Sequence, residues 1–467
     1  MARSVILFED HTAQQFRPLS WSLPVYEIPC GLFNLRERVQ HLATADRDPF
    51  RIALLPRGLL TDLQREFAPP GIQVGLRACL DAAASDVLFL AARVSPRWSD
   101  LQDLLHDLPL DASREDAHGL VAWRTGAANA RTVLDSWRRW DEACAREDVW
   151  TSPTAAAPVW TPGSGVPGDT SAAFGYLWDL VHGIGTAIRD DTEALMNSAG
   201  LTLPSRSFFG VRPLADETDR GERVVLTHAG ACPPAGVTVA APGNLWLGED
   251  IRLGPGVVID ATAGPVVIDR SVRVLPHVYL EGPLYLGSDV RVKAGATLYG
   301  ETAVGAGCRV AGEIAESQLL PYMNKQHAGF LGHSIVGSWV NLGADTTNSD
   351  LKNNYGEIKV NYGHGPIETG SRFVGLMVGE HAKSAIGTTF NTGTTVGFSS
   401  NVFAAGFPRT YLANFTWGDG RGRRVYEVER ALEVARIVMS RRGCRFTEAQ
   451  AALFLSLAGG AAPAPGA

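Results

Sequence analysis

The sequence predicts an N-terminal α/β region, a parallel β-helix behind it and a helical tail, and three observations carry that assignment. The first is a six-residue repeat. Stepping by six from Val272 gives Val278, Leu284, Val290, Ala296, Thr302, Cys308 and Ile314. Two residues after each stand Val274, Leu280, Leu286, Val292, Leu298, Val304, Val310 and Glu316. Fourteen of these sixteen positions are apolar in a chain that is 45% hydrophobic, and Thr302 and Glu316 are the exceptions. Gly, Pro, Asp and Lys fall between the pairs, as in Gly282-Pro283 and Gly287-Ser288-Asp289. Strand and corner therefore alternate, and such coils stack with their apolar side chains inside. The second observation is the mixture of short apolar runs with amphipathic helical stretches before residue 165. The third is a pair of helix patterns after residue 408.

The elements follow in order. Met1-Ala2-Arg3-Ser4-Val5-Ile6-Leu7-Phe8 meets Glu9-Asp10 at once and reads as a first strand, not a signal peptide. Val87–Ala91 is a second apolar run, and Ala128–Cys144 has helical amphipathicity. Residues 1–165 form the α/β region. The span 166–224 is a linker: Thr151–Thr170 is rich in Pro, Gly, Ser and Thr, and Ser171–Ser198 carries one apolar helix face with Gly200 as a stop.

The β-helix occupies 225–408. Leu245/Leu247, Ile251/Leu253 and Val257/Ile259 keep the step, and about three extra residues at Thr262–Pro265 shift it. The pattern breaks at Leu319–Phe330, resumes at Val340/Leu342, breaks at Asp345–Arg372 and returns from Val374 to Val402. Both interruptions are expected as loops expelled on one face, where binding residues concentrate. In the tail, 409–467, Val425, Val428, Leu432, Ala435 and Met439 mark a helix ending at Arg441-Arg442-Gly443. A second helix starts at Thr447, with Gln450 as its capping-box partner.

Composition narrows the function classes. A net charge of −7 without a Lys/Arg run argues against nucleic-acid binding. No apolar stretch approaches the roughly 18–20 residues that span a membrane. Cys30, Cys79, Cys144, Cys232, Cys308 and Cys444 show no CxxC spacing, so buried thiols in a reducing, cytoplasmic setting are expected and no metal site is.

The residues that carry chemistry lie in the first interruption: Asn324-Lys325-Gln326-His327-Ala328-Gly329-Phe330-Leu331-Gly332-His333-Ser334, then Asn341-Leu342-Gly343-Ala344. This run resembles the acetyltransferase half of the bifunctional N-acetylglucosamine-1-phosphate uridyltransferase/glucosamine-1-phosphate acetyltransferase family. That family has a His, an aromatic three residues on, Leu-Gly-Asp-Ser, and Asn-Ile-Gly-Ala fourteen residues after the His. Within it the chain looks most like a divergent branch of sugar nucleotidyltransferase-like proteins, by Trp339-Val340-Asn341-Leu342-Gly343-Ala344 and Ser349-Asp350-Leu351-Lys352-Asn353.

The resemblance implies a left-handed winding, a homotrimer, and acetyl-CoA as co-substrate. It makes His327 the general base that takes a proton from an attacking amine, a task suited to imidazole. His333 stands where the family has an acid and is the rival base or an orienting residue. Asn341 matches a sugar contact, or caps a corner; Lys325 matches a phosphate contact, or is solvated. Phe330 matches the aromatic that lines the substrate. Asp350 stands at a substrate-binding position where the family has an Asn; an Asp cannot donate the amide's hydrogen bond, so either Asn348 or Asn353 substitutes or the donor and acceptor differ from the family's. Ala344 and either Ser384 or Thr388 would flank the coenzyme A arm.

Arg17-Pro18-Leu19-Ser20 with Pro24 is similar to the Arg-x-Pro-Leu-Thr…Pro-Lys of sugar-nucleotide pyrophosphorylases, which implies a nucleotidyltransferase-like (Rossmann-like) N-terminal domain. Glu9-Asp10-His11-Thr12-Ala13 replaces the glycine-rich phosphate loop, Val25 the lysine, and Arg93 the Asp that binds Mg²⁺. Arg17 and Arg93 could clamp phosphate without metal; Mg²⁺ enters only if this domain is active. Three functions stay open: acyl transfer from acetyl-CoA to an amino-sugar phosphate or nucleotide amino sugar, nucleotidyl transfer to a sugar 1-phosphate, and a trimeric sugar-nucleotide-binding scaffold.

Overall fold

A computed structural model describes residues 3–45, 49–83, 86–95, 97–147, 165–167, 173–197, 201–203, 209–213, 227–228, 235–422 and 424–459. Cys232, Gly200 and most of Thr151–Thr170 lie outside them.

The N-terminal strands are β1 (Ser4–Phe8), β2 (Arg51–Leu55), β3 (Gln73–Val74), β4 (Val87–Ala91), β5 (Ser113–Asp116), β6 (Gly119–Thr125) and β7 (Gly165–Pro167), in spatial order β3-β2-β1-β4-β6-β5-β7. β1, β2, β3 and β4 run parallel, while β6 is antiparallel to β4. β1 and β4 are buried along their whole length, as strands covered on both faces must be. Helices α1 (Leu35–Ala45), α2 (Gly58–Phe67), α3 (Leu76–Ala82), α4 (Trp98–His106) and α5 (Ala127–Glu147) accompany the sheet. This is the Rossmann-like domain. β7 falls in the expected linker yet pairs with β5.

Helix α6 (Leu177–Asn197) follows. Buried Asp191 fixes it to the domain through Arg38 at 2.6 Å, with Trp98 Nε1 donating at 2.8 Å. Such a pair is costly to break from one side, because the survivor stays buried and charged.

Behind α6 stands the left-handed parallel β-helix. Its first face stacks Arg252–Leu253, Arg273–Val274, Arg291–Val292, Arg309–Val310 and Asn324–Lys325. The second face stacks Thr238–Ala240, Val258–Asp260, Tyr279–Glu281, Thr297–Leu298, Glu313–Ala315 and Phe330–Gly332. The third runs from Leu245–Leu247 to Tyr411–Leu412. Val274 pairs with Val292 and Val292 with Val310, eighteen residues or three repeats per coil. Leu253 pairs with Val274, which confirms the three-residue insertion at Thr262–Pro265.

The two interruptions behave differently. Asn348 pairs with Phe390, so the second is an expelled loop, with a hairpin of Lys359–Asn361 against Pro366–Glu368. The first is not expelled, contrary to expectation. Val310 pairs with Lys325 and Leu319 with Val336, so these coils are shortened but stay in the wall. The apolar pattern fails there because a lysine takes an inward position.

On the third face alternate residues look outward, and Val267, Tyr285, Ala303, Ile335 and Met377 join the hydrophobic core of the N-terminal domain. That domain therefore lies along the β-helix. Gly31 N–H donates to Gln318 Oε1 at 3.1 Å, Arg189 to Ala263 O at 3.1 Å, and Trp178 stacks on Tyr362 of the hairpin at 6.1 Å. Helices α7 (Val428–Ser440) and α8 (Glu448–Gly459) close the fold. Thr447 and Gln450 form the expected capping box, each backbone N–H donating to the other side chain. α7 ends one residue before Arg441, and Gly443 takes the expected left-handed φ of 69°. Cys30, Cys79, Cys144, Cys308 and Cys444 are buried, and burial pushes Cys30 and Cys308 up to about 12. No helix among the described residues is long and apolar enough to cross a membrane.

Candidate active site

Each coil turns three corners, and the candidate residues divide between two of them. His327 lies in the turn that carries the chain from Asn324–Lys325 on the first face to Phe330–Gly332 on the second. Ala344 and Ala385–Thr388 occupy the same corner on the next two coils, and Asn341 stacks on Asn324 one coil along. His327 is exposed, and among the described residues its imidazole makes no hydrogen bond. Asn341 is exposed as well.

Lys325, expected at a substrate phosphate, points into the lumen instead and is 1% exposed. It sits opposite Val310. Its Nζ donates to Ala311 O at 3.1 Å, His327 O at 3.0 Å and Ala328 O at 3.3 Å, which uses all three ammonium protons. Burial pulls its pKa down to about 8. Lys325 thus holds the His327 corner from beneath.

Ser384 and Thr388, the alternatives for the coenzyme A arm, both bury their hydroxyls. Ser384 Oγ accepts from Gly343 N–H at 3.0 Å and meets Thr346 Oγ1 at 2.7 Å, while Thr388 donates to Ala385 O at 2.8 Å. At this corner Ser384 fastens coil to coil and Thr388 closes its own turn, while the half-buried Ala344 accepts from Gly387 N–H at 2.7 Å through its carbonyl.

The second corner, between the second and third faces, holds Glu316, His333 and Asp350. They recur every seventeen residues and stack on three successive coils. His333 Nε2 lies 2.5 Å from Glu316 Oε2, and Nδ1 lies 2.8 Å from Asp350 Oδ2. Burial would lower the imidazole's pKa, but the two carboxylates outweigh it and push His333 up to about 9. Phe373 stacks on the ring at 4.8 Å, and His182 of α6 meets Phe373 O at 3.0 Å. A Cβ at Gly332 would push aside the Phe330 ring and the Asp350 carboxylate. The resemblance placed His327 and His333 in one site, and the fold puts them on different corners. Glu316, Phe373 and His182 were not anticipated; the signal for Glu316 was its break in the apolar phase.

In the N-terminal domain the crevice at the carboxyl ends of β1 and β4 is the place where open α/β sheets bind ligands. Buried Glu9 fills part of it, accepting from Val25 N–H at 2.9 Å and from Arg57 N–H and Nε at 3.1 Å. Asp10 caps the 3-10 turn that starts at His11, accepting from Thr12 N–H at 2.9 Å. Arg93, expected as a phosphate clamp, gives both terminal nitrogens to Asp116 at 2.6 Å. A cation paired this way does not fit Mg²⁺, and no cluster of three His, Cys, Asp or Glu side chains among the described residues could hold a metal. Arg17 differs. It is 4% exposed, stacks over Trp21 at 4.1 Å and meets His364 Nε2 of the hairpin at 3.1 Å, with no carboxylate partner among the described residues. Burial, with Arg57 nearby, pulls it down to about 10.

Comparisons with known proteins match parts of this chain. Residues 5–199 match the family model described as sugar nucleotidyl transferase. The chain is also 30% identical over 156 residues to the bifunctional protein GlmU of Methylococcus capsulatus, covering 33% of this chain and 30% of that one. The chain is thus similar, over part of its length, to GlmU proteins. GlmU of Nostoc sp. is 31% identical over 133 residues, covering 24% and 29%. A bifunctional sugar-1-phosphate nucleotidylyltransferase/acetyltransferase of Sulfurisphaera tokodaii is 29% identical over 91 residues, covering 20% and 23%. The matches thus span less than a third of these GlmU-like relatives. A crystal structure of a proposed acetyltransferase from Bacillus cereus matches 44% of this chain and 89% of its own at 12% identity, with a TM-score of 0.15. That score is too low to bear on the fold, which rests on the strand pairing above.

Proposed function

We propose that this protein transfers an acetyl group from acetyl-CoA to an amino-sugar phosphate or nucleotide amino sugar at the first corner of its β-helix. One observation carries the reading: His327 presents an unengaged, exposed imidazole on a corner tied down by Lys325, with Asn341 exposed one coil on. His327 takes the proton from the amine nitrogen as that nitrogen attacks the thioester carbonyl. The tetrahedral oxyanion is held by backbone N–H groups of the corner at Ala344, and its collapse expels the coenzyme A thiolate. Asn341 orients the sugar, and Phe330 lines its approach. His333 is the orienting residue of the pair, because an imidazolium clamped by two carboxylates has no proton vacancy near neutral pH. The family resemblance supports a homotrimer.

Arg17 favours a second, smaller role. A buried guanidinium without a carboxylate is a site for an anion, so the N-terminal domain holds the phosphate of a sugar nucleotide. Nucleotidyl transfer is the weaker reading, because Glu9 and the Arg93–Asp116 pair occupy the crevice.

The test is thiol release from acetyl-CoA by purified protein, run against a panel of amino-sugar 1-phosphates and nucleotide amino sugars beside His327→Ala. Turnover lost in the variant supports the proposal, and turnover that survives moves the base elsewhere. Pyrophosphate release from a nucleoside triphosphate and Mg²⁺, with no thiol release, would overturn it in favour of the N-terminal domain.

A further inference from the structure

The expelled second interruption does not end in solvent. Its hairpin, Lys359–Asn361 against Pro366–Glu368, alternates with the two-residue period of a strand. Ile358, Val360 and Tyr362 point inward and join the core of the N-terminal domain, where Trp178 stacks on Tyr362 and Tyr176 on Trp178 at 4.3 Å. Lys359 and Glu368 point outward and pair with each other at 2.5 Å. The hairpin is thus seated on the other domain by its apolar side, and its turn reaches Arg17.

That turn reads Gly363-His364-Gly365. Asn361 Oδ1 shapes it, accepting from Gly363 N–H at 2.7 Å and Gly365 N–H at 3.3 Å, and both glycines take positive φ, 101° and 106°. A Cβ at Gly363 would lie 2.8 Å from Tyr411 Oη, so the turn rests on the last strand of the third face. His364, between the two glycines, is exposed, and its Nε2 lies 3.1 Å from Arg17 Nη1. A guanidinium can only donate, so this nitrogen accepts and the imidazole is neutral, with its proton on Nδ1. No other hydrogen bond of Arg17 occurs among the described residues, which leaves most of its five donors unengaged. Trp21 covers one face of the guanidinium, so those donors point outward in its plane. Burial keeps the phenols of Tyr362 and Tyr411 neutral, and neither supplies a counter-charge.

We propose that His364 is the second half of the Arg17 anion site, so that a phosphoryl group of a sugar nucleotide is gripped by one cation from each domain. The inference rests on the phosphate-holding role given to Arg17 above and adds to it a residue of the β-helix. An entering phosphate oxygen takes the in-plane donors of Arg17, and the flanking glycines let the imidazole turn aside to meet a second oxygen. His364 then takes up a proton, because its neighbour has changed from a bare cation to an anion. The charged group that faces His364 is Arg17; Arg57, beside Arg17, is bound to Glu9, and Lys359 and Glu368 offset each other at the hairpin base. Burial and Arg17 hold the unliganded imidazole below its ordinary pKa, and the anion raises it, so binding tightens as pH falls.

The test is isothermal titration calorimetry of the full chain with UDP-, dTDP-, ADP- and GDP-glucose, whose diphosphate diesters keep a constant charge near neutral pH. The dissociation constant of the preferred one should be about tenfold lower at about pH 6 than at about pH 8. Arg17→Met should raise it about tenfold or more at both values. His364→Gln keeps an acceptor for Arg17; it should raise the constant about tenfold at the acid end and abolish the pH dependence. Binding that needs Arg17 but ignores both pH and His364→Gln removes His364 from the site and leaves the Arg17 reading standing. A pH dependence that survives His364→Gln belongs to another group and overturns the inference as well. Binding indifferent to Arg17→Met, or no binding of any of the four, overturns the Arg17 reading and this inference together. Should Arg17→Met fail to fold, the comparison with His364→Gln, a change on an exposed turn, decides.

Discussion

Two histidines six residues apart land on opposite sides of the second face and inherit opposite chemistry. His327 stands on an open corner with its imidazole free. His333 stands on a closed one, with carboxylates at 2.5 and 2.8 Å, an aromatic ring over it and α6 behind. The residue type is the same, and position within the coil decides the role. A spacing of six moves a side chain from one corner to the next, whereas a spacing of one coil stacks like positions and builds ladders such as Glu316–His333–Asp350. Histidine chemistry in such a repeat is therefore read from the corner before the neighbours in sequence.

The contrast can be broken most sharply by exchanging losses. His327→Ala should lower the rate of thiol release by about 10²-fold or more, the usual worth of a general base, with the unfolding midpoint unchanged. His333→Ala should do the reverse. It leaves Glu316 and Asp350 facing each other without the cation between them and costs about 2 kcal/mol of stability, read by urea titration. A rate loss in His333→Ala as large as that in His327→Ala, with stability intact, would show that the corners have been assigned the wrong way round.

Titration sharpens the same point. The folded-state pKa of His333 lies near 9, above the unfolded value of about 6.5. A raised pKa means the folded state binds the proton more tightly. The clamp is therefore fully stabilising below pH 6.5 and its contribution is lost as pH rises through 9. Urea midpoints between those limits should fall by the equivalent of about 2 kcal/mol, a value reduced because Glu316 is 45% exposed and screened. The slope should vanish in His333→Ala.

Much of this was legible in the sequence, and the reason lies in periodicity. The six-residue phase placed the inward Val and Leu residues of the regular coils, and the three-residue shift at Thr262–Pro265 was visible as a break in that phase. The first interruption was misread because Lys325 looked like a surface cation, whereas the lumen offers three carbonyls that satisfy an ammonium in an apolar column. The closure of the second corner was hidden for a different reason. Phe373 reaches His333 from a loop end and meets His182 from a helix of another domain, and no local spacing encodes such contacts. The seventeen-residue recurrence of Glu316, His333 and Asp350 was present, but it departs from eighteen because these coils are shortened.

The smallest expected effect discriminates best between a residue that holds the corner and one that touches substrate. Lys325→Met keeps the lumen filled but leaves the carbonyls of Ala311, His327 and Ala328 without their donor. Removing a buried cation recovers its desolvation cost, while the unsatisfied carbonyls at the corner draw in water, so the net stability change should stay within about 1 kcal/mol. The corner that carries His327 loosens, and kcat should fall roughly fivefold with KM unchanged, since the imidazole is misplaced only for the proton transfer. A lysine bound to a substrate phosphate would give the opposite pattern, a raised KM at constant kcat. Initial-rate kinetics over a range of acceptor concentrations separates the two, and a KM effect would place the Lys325 ammonium outside the lumen during turnover.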